Sequence, residues 1–304
     1  MASRRPLLIS CIFVFCSAVR FNSSAISFSF PCLPPCGRAS AKVGVRKLPV
    51  IARLKPKAAS FDFLAPLLPD YHWVCLDLAG QGKSDHRVHF GAYNIWQDVT
   101  EVFAIADALQ WDSFSLVGHS RGAVIAALAC GTFPERIEHL ALIEGIATYV
   151  SRDSAAPELL ASAYLSLKTQ AARPQSVHAS LAAAIAIRAD GKFPVSQSDA
   201  QALAARGVEP FEGGYTWAYD YKLLANSEVR FTLAQLNAFF ARIKQPVHLL
   251  IADKGIIIHH AEVQHWLATQ TNIAQTQLPG GHHLHMSENC LAVSQWLQQV
   301  LASA

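Results

Sequence analysis

A chain of 304 residues with 52% hydrophobic and 15% charged residues has room for one large α/β domain, alone or with an inserted cap, and is too apolar to be disordered. Residues 1–57 hold ten Lys/Arg and no Asp/Glu, whereas the rest holds fifteen Lys/Arg and all 22 Asp/Glu. The body is therefore net −7, which argues against a nucleic-acid partner.

The first 47 residues read as an atypical leader. Arg4 and Arg5 precede an apolar run, residues 7–19, that is too short to span a bilayer, so no stable membrane span is expected. The run resembles a signal-peptide h-region, which would mean secretion. The acid-free, serine-bearing stretch through Ser29 equally resembles a transit peptide for a plastid or mitochondrion. An incorrect translation start or a frame-shifted segment is the third reading, with a cytoplasmic protein as its consequence. The second and third are preferred. Cys32 and Cys36 stand alone as a C-x₃-C with no matching pair downstream, so no metal is expected there. Cys75, Cys130 and Cys290 are expected as buried, reduced thiols.

From residue 58 strands and helices alternate, the signature of a parallel sheet covered on both faces. Residues 59–68 read as a short amphipathic helix, 73–76 as a buried strand and 93–109 as a helix. An apolar run, residues 114–117, leads into Gly118-His119-Ser120-Arg121-Gly122, and a small-residue helix begins at Ala123. Strand, G-x-S-x-G, helix is the nucleophile-elbow pattern, which lifts Ser120 to the carboxyl end of a sheet. Residues 136–143 form the next strand, which stops at Glu144-Gly145. Residues 147–242 are Ala-rich and helical in pattern, a cap over the carboxyl ends of the strands. Residues 48–146 and 243–304 are then the core. The sheet resumes at 246–252, a helix follows at 261–269, residues 278–282 form a loop, and a helix over 290–301 closes the chain.

A serine hydroxyl needs a base, and histidine has the suitable pKa. Of His282, His283 and His285, the first follows Gly280-Gly281, which frees the backbone to turn its ring toward Ser120. The other two are expected to cap or pack the last helix, and no metal is expected at this cluster. The base needs a carboxylate to orient it. Glu144 and Asp253 compete, each at the end of a strand. The backbone N–H of Arg121, next to the nucleophile, is the expected first oxyanion donor.

Five stretches carry a family resemblance: residues 77–84 (DLAGQGKS), 118–122 (GHSRG), 142–145 (LIEG), 213–217 (GGYTW) and 279–283 (PGGHH). From residue 58 the chain resembles α/β-hydrolase fold proteins. It is most similar to the serine hydrolase-like group, related to haloalkane dehalogenases and epoxide hydrolases. The resemblance implies a mostly parallel sheet covered by helices, with a helical cap inserted after the strand ending at Glu144. It also implies that residues 48–51 form a strand, while the family's leading hairpin is missing or altered. Where the family commonly carries its late Asp, this chain has Gly255; in one branch of the dehalogenases the acid follows the strand after the elbow, which matches Glu144. Glu144 is therefore preferred, with Asp253 as the alternative. Those relatives carry Asp at the elbow, and Ser120 instead favours acyl transfer. The family's His-Gly oxyanion motif is absent: ungapped, Ala52-Arg53 takes its place and Leu54 the second donor's. The expectation is a cofactor-free serine hydrolase for a small ester-like molecule, with His119, Tyr215 and Trp217 as candidate substrate contacts. Two readings of other classes stay open, a catalytically impaired binding protein and a C–C hydrolase or lyase using the same residues.

Overall fold

Short apolar runs make the centre of the sheet. β5 (Phe114–His119) is buried at every position, β6 (Ile137–Ile143) beside it is buried from Leu140 on, and β9 (Val247–Lys254) beside β6 is buried from Leu249 to Ala252, as strands covered on both faces must be. The computed structural model describes residues 21–22, 25–26, 46–51, 58–87, 90–91, 93–148 and 150–302. Six parallel strands run in the order β10-β9-β6-β5-β3-β4, with β3 (Arg46–Ile51), β4 (Tyr71–Leu76) and β10 (Ile273–Gly281) completing the sheet. Upstream, β1 (Phe21–Asn22) and β2 (Ala25–Ile26) form a minimal antiparallel pair that is not part of this sheet.

Alternation along the strands sorts side chains into two layers. Leu116, Leu140, Leu142, Leu249 and Ile251 pack with α1 (Ile95–Ala108), α2 (Arg121–Thr132) and α7 (Ala261–Ala268). Their neighbours Val117, Ala141, Ile143, Leu250 and Ala252 pack with Phe61, Leu64 and α8 (Cys290–Ala302) on the other face. The result is a three-layer α/β/α core. Cys75, Cys130 and Cys290 carry no disulfide, and burial pushes the thiols of Cys75 and Cys130 up to about 12.

Three expectations need correction. The helix expected over 59–68 is two 3₁₀ turns, Ala58–Phe61 and Ala65–Leu67, because Pro66 lacks the N–H that a continuous helix requires. Residues 278–281 of the expected loop are the end of β10, an edge strand whose middle is Gln275, Thr276 and Gln277, so no apolar run announces it. The inserted segment is not wholly helical. Besides α3 (Ala156–Ala171), α4 (Leu181–Ala189), α5 (Gln197–Gly207) and α6 (Leu233–Phe240), it contains a hairpin of β7 (Val208–Phe211) and β8 (Gly214–Trp217), closed at Gly213 with φ +77°.

Asp220 ties this segment to the core. Its Oδ2 accepts from the Tyr93 hydroxyl at 2.7 Å, and its backbone N–H donates to the Gly80 carbonyl at 2.9 Å. Among the described residues no helix is long and apolar enough to cross a membrane.

Candidate active site

Ser120 sits at the turn between β5 and α2 with φ 54° and ψ −118°, a strained conformation for a residue with a side chain. The strain is held by packing on all sides. The Ser120 N–H donates to the Ile143 carbonyl at 2.8 Å. A Cβ on Gly118 would stand 2.6 Å from the backbone N and Cα of Ala123, and one on Gly145 would stand 2.8 Å from Ser120 Cα. Backbone cannot yield there as a flexible side chain could. Gly145→Ala should therefore cost about 3 kcal/mol of stability, read as a fall in the urea midpoint at constant slope.

The carboxyl ends of four neighbouring strands bring the relevant side chains together. β5 delivers Ser120, β6 delivers Glu144, β9 leads to Asp253 and Gly255, and β10 delivers His282. Nε2 of His282 lies 3.1 Å from Ser120 Oγ, and its Nδ1 lies 3.1 Å from Glu144 Oε2. Glu144 is 0% exposed, but three N–H groups face its oxygens. Oε1 accepts from the Ala252 N–H at 2.8 Å and Oε2 from the Ile256 N–H at 2.7 Å, charge-assisted bonds that offset the burial. Gly255 explains how the carboxylate fits: a Cβ there would collide with the Glu144 carboxylate and with nothing nearer. Asp253 is exposed, and its Oδ1 accepts from the Gly280 N–H at 2.8 Å. It braces the turn before His282 rather than touching the ring.

The profile of the alpha/beta hydrolase fold family matches residues 57–289, more than half of the chain. The chain belongs to the α/β-hydrolase fold family. A serine hydrolase-like protein of Danio rerio is 25% identical over 246 residues, 76% of this chain and 74% of its own. One of Dictyostelium discoideum is 25% identical over 253 residues, 78% of this chain and 70% of its own. The crystal structure of a hypothetical protein from Pseudomonas aeruginosa superposes with a TM-score of 0.78 at 35% identity, covering 86% of this chain and 91% of that one.

Behind Ser120 and His282 the hydrolase stacks histidines. His119, 1% exposed, holds Nε2 2.7 Å from the His282 carbonyl oxygen, so Nε2 carries the proton and donates. Its ring packs on those of His282, His283 and His285, at centroid distances of 4.7, 5.1 and 4.1 Å. His119 thus props the loop that carries His282. Burial, with the nearby His282 adding to it, pushes the His285 imidazole down to about 3, so this ring stays neutral.

One ring nitrogen from each of His119, His283 and His285 lies within 4.8 Å of the others, a grouping that could hold a metal ion. The hydrogen bonds oppose it. Arg188 Nη2 lies 3.1 Å from His283 Nε2, and a guanidinium can only donate, so the ring's one lone pair is used and Nδ1 carries the proton. A metal would have to displace Arg188.

Several features near the hydrolase site escape a linear reading. The Arg121 side chain is ion-paired with Asp98 of α1, a buried carboxyl that burial pushes up and Arg121 pulls back down. The pair clamps the first turn of α2, and a buried acid on the apolar face of α1 was its visible sign. Leu54 lies outside the described residues. Trp217 packs against two small clusters, Leu203 with Met286 and Ile185 with Ala200 and Ala204. Tyr215 pairs through its backbone with His178. Neither touches Ser120, His282 or Glu144. Tyr219 and Tyr221 line a cavity of about 380 Å³ with Phe90, Gln170 and Arg173, away from those three residues.

Proposed function

We propose that this hydrolase cleaves carboxylic esters or related acyl bonds through an acyl-enzyme on Ser120, with His282 as base and Glu144 as the acid that orients it. The observation that carries this reading is the continuous hydrogen-bonded line from Ser120 Oγ through the His282 ring to Glu144. With Glu144 accepting from Nδ1–H, Nε2 presents its lone pair to the serine hydroxyl.

Attack of Oγ on the acyl carbon passes the hydroxyl proton to Nε2. The oxyanion forms at the N-terminus of α2, where the Arg121 N–H has no intrahelical partner and the helix dipole is favourable. By the resemblance alone the second donor is the N–H of Leu54, outside the described residues. Collapse of the intermediate breaks the bond to the alcohol, which leaves with the proton from His282. Water then repeats the sequence on the acyl-serine, releasing the acid and restoring Ser120. Dehalogenation is disfavoured, since Ser120 stands where the related dehalogenases carry Asp.

A fluorophosphonate probe tests the reading, because it labels only an activated serine. The purified chain should label stoichiometrically and Ser120→Ala should not label at all. A folded wild-type chain that stays unlabelled would overturn the proposal and favour a non-catalytic member of the fold.

A further inference from the structure

The inserted segment places a cation on His283, the neighbour of His282, that makes no direct ion pair among the described residues. Arg188, in the last turn of α4, donates from Nη1 to the Phe193 carbonyl at 3.0 Å and from Nη2 to His283 Nε2 at 3.1 Å. Both partners are neutral. Arg87, Arg121, Arg136 and Arg206 each contact a carboxylate, whereas Arg188 makes no ion pair among the described residues. Asp199 acts on it only at longer range, and Oδ1 of Asp199 is engaged by the Ser287 N–H at 3.1 Å. Burial works against the charged form of Arg188 and Asp199 only partly offsets this. A guanidinium has five N–H donors in a planar fork, and the two contacts named leave donors to spare. Stripping water from a cation without a counter-ion is costly, and a bound anion offsets that cost.

Two neighbours link the cation to His282. Phe193, whose carbonyl Arg188 holds, lays its ring on that of His282 at a centroid distance of 4.8 Å. His283, the other partner, is the next residue in the chain to His282. Lys192 adds positive charge 5.5 Å from the Phe193 ring.

Resting on the reading of Ser120 as nucleophile, we propose that Arg188 forms an anion subsite and that the acyl substrate carries a carboxylate. The guanidinium fork holds that carboxylate while the scissile carbonyl lies at Ser120. The natural substrate is then a monoester, or related acyl derivative, of a small dicarboxylic acid.

The test compares mono-p-nitrophenyl glutarate with p-nitrophenyl valerate, a neutral ester of similar size, and extends the anionic series to succinate and adipate. Wild-type kcat/KM should favour the glutarate ester by about tenfold or more, and the preference should shrink as salt is raised. Arg188→Gln should collapse that ratio chiefly through KM, and Arg188→Lys should fall between. A wild-type ratio near one, or an equal loss on both esters in Arg188→Gln, would overturn the subsite. If neither ester is cleaved, the catalytic reading fails by itself. The subsite is then read from the thermal shift produced by glutarate in Ser120→Ala. Stabilisation that disappears in Ser120→Ala/Arg188→Gln supports it, and none in Ser120→Ala overturns it.

Discussion

Glu144→Gln is expected to lower kcat by about 10³–10⁴-fold, the scale seen when the orienting carboxylate of a Ser–His–acid site becomes an amide. Glutamine is nearly isosteric, but its NH₂ must face one of three donors, the N–H of Ala252, the N–H of Ile256 or Nδ1–H of His282. Whichever it faces, one buried donor loses its acceptor, so a stability loss of about 1–3 kcal/mol should accompany the rate loss. Asp253→Asn is the matched control. Asp253 accepts from the Gly280 N–H through a single oxygen, which asparagine can still supply. Its rate should stay within about tenfold of wild type, since a carbonyl oxygen retains that neutral hydrogen bond. Rates on one activated ester, with urea unfolding of each variant, check the pair. A comparable fall in Asp253→Asn would move the acid's role away from Glu144.

The second large effect concerns Gly255. The three atoms that a Cβ on Gly255 would meet first all belong to the Glu144 carboxylate, and the Gly255 φ is not positive. The backbone there accepts an ordinary side chain, and the Glu144 carboxylate is what such a side chain would meet first. Glu144, conversely, has φ 51°, which glycine adopts without strain. Exchanging the two should therefore return a carboxylate to the same place from the neighbouring strand. Glu144→Gly alone should lose about 10³–10⁴-fold in kcat. Gly255→Asp alone forces two carboxylates into one buried site and should also be impaired. The double variant should exceed Glu144→Gly by at least about tenfold, a coupling that independent sites would not show. Steady-state rates across the four proteins decide it. A double variant no faster than Glu144→Gly would mean that position 255 cannot present its acid to His282.

The elbow was legible because its geometry is local. β5, the strained Ser120 turn and α2 occupy one contiguous stretch, and Gly118 is required by backbone contacts a few residues away. The turn of β10 toward Ser120 was legible in part, through Gly280-Gly281. Its strand character was hidden by the polar residues of an exposed edge. The β7–β8 hairpin was masked by the Ala-rich helices around it, although Gly213 sat at its turn.

Contiguous residues therefore determined the alternating strands and helices, the elbow, and the short list of groups that could serve Ser120. Tertiary structure decided which of them meet. Glu144 and Asp253 both end strands, and a linear reading separates them only by resemblance. The order β10-β9-β6-β5 and the cavity left at Gly255 put the Glu144 carboxylate, and not that of Asp253, against Nδ1 of His282. The same holds for His119 under the His282 carbonyl, Asp98 on Arg121, and Arg188 above His283. Each joins groups far apart in the chain, through side-chain contacts that carry no periodicity and so leave no local trace.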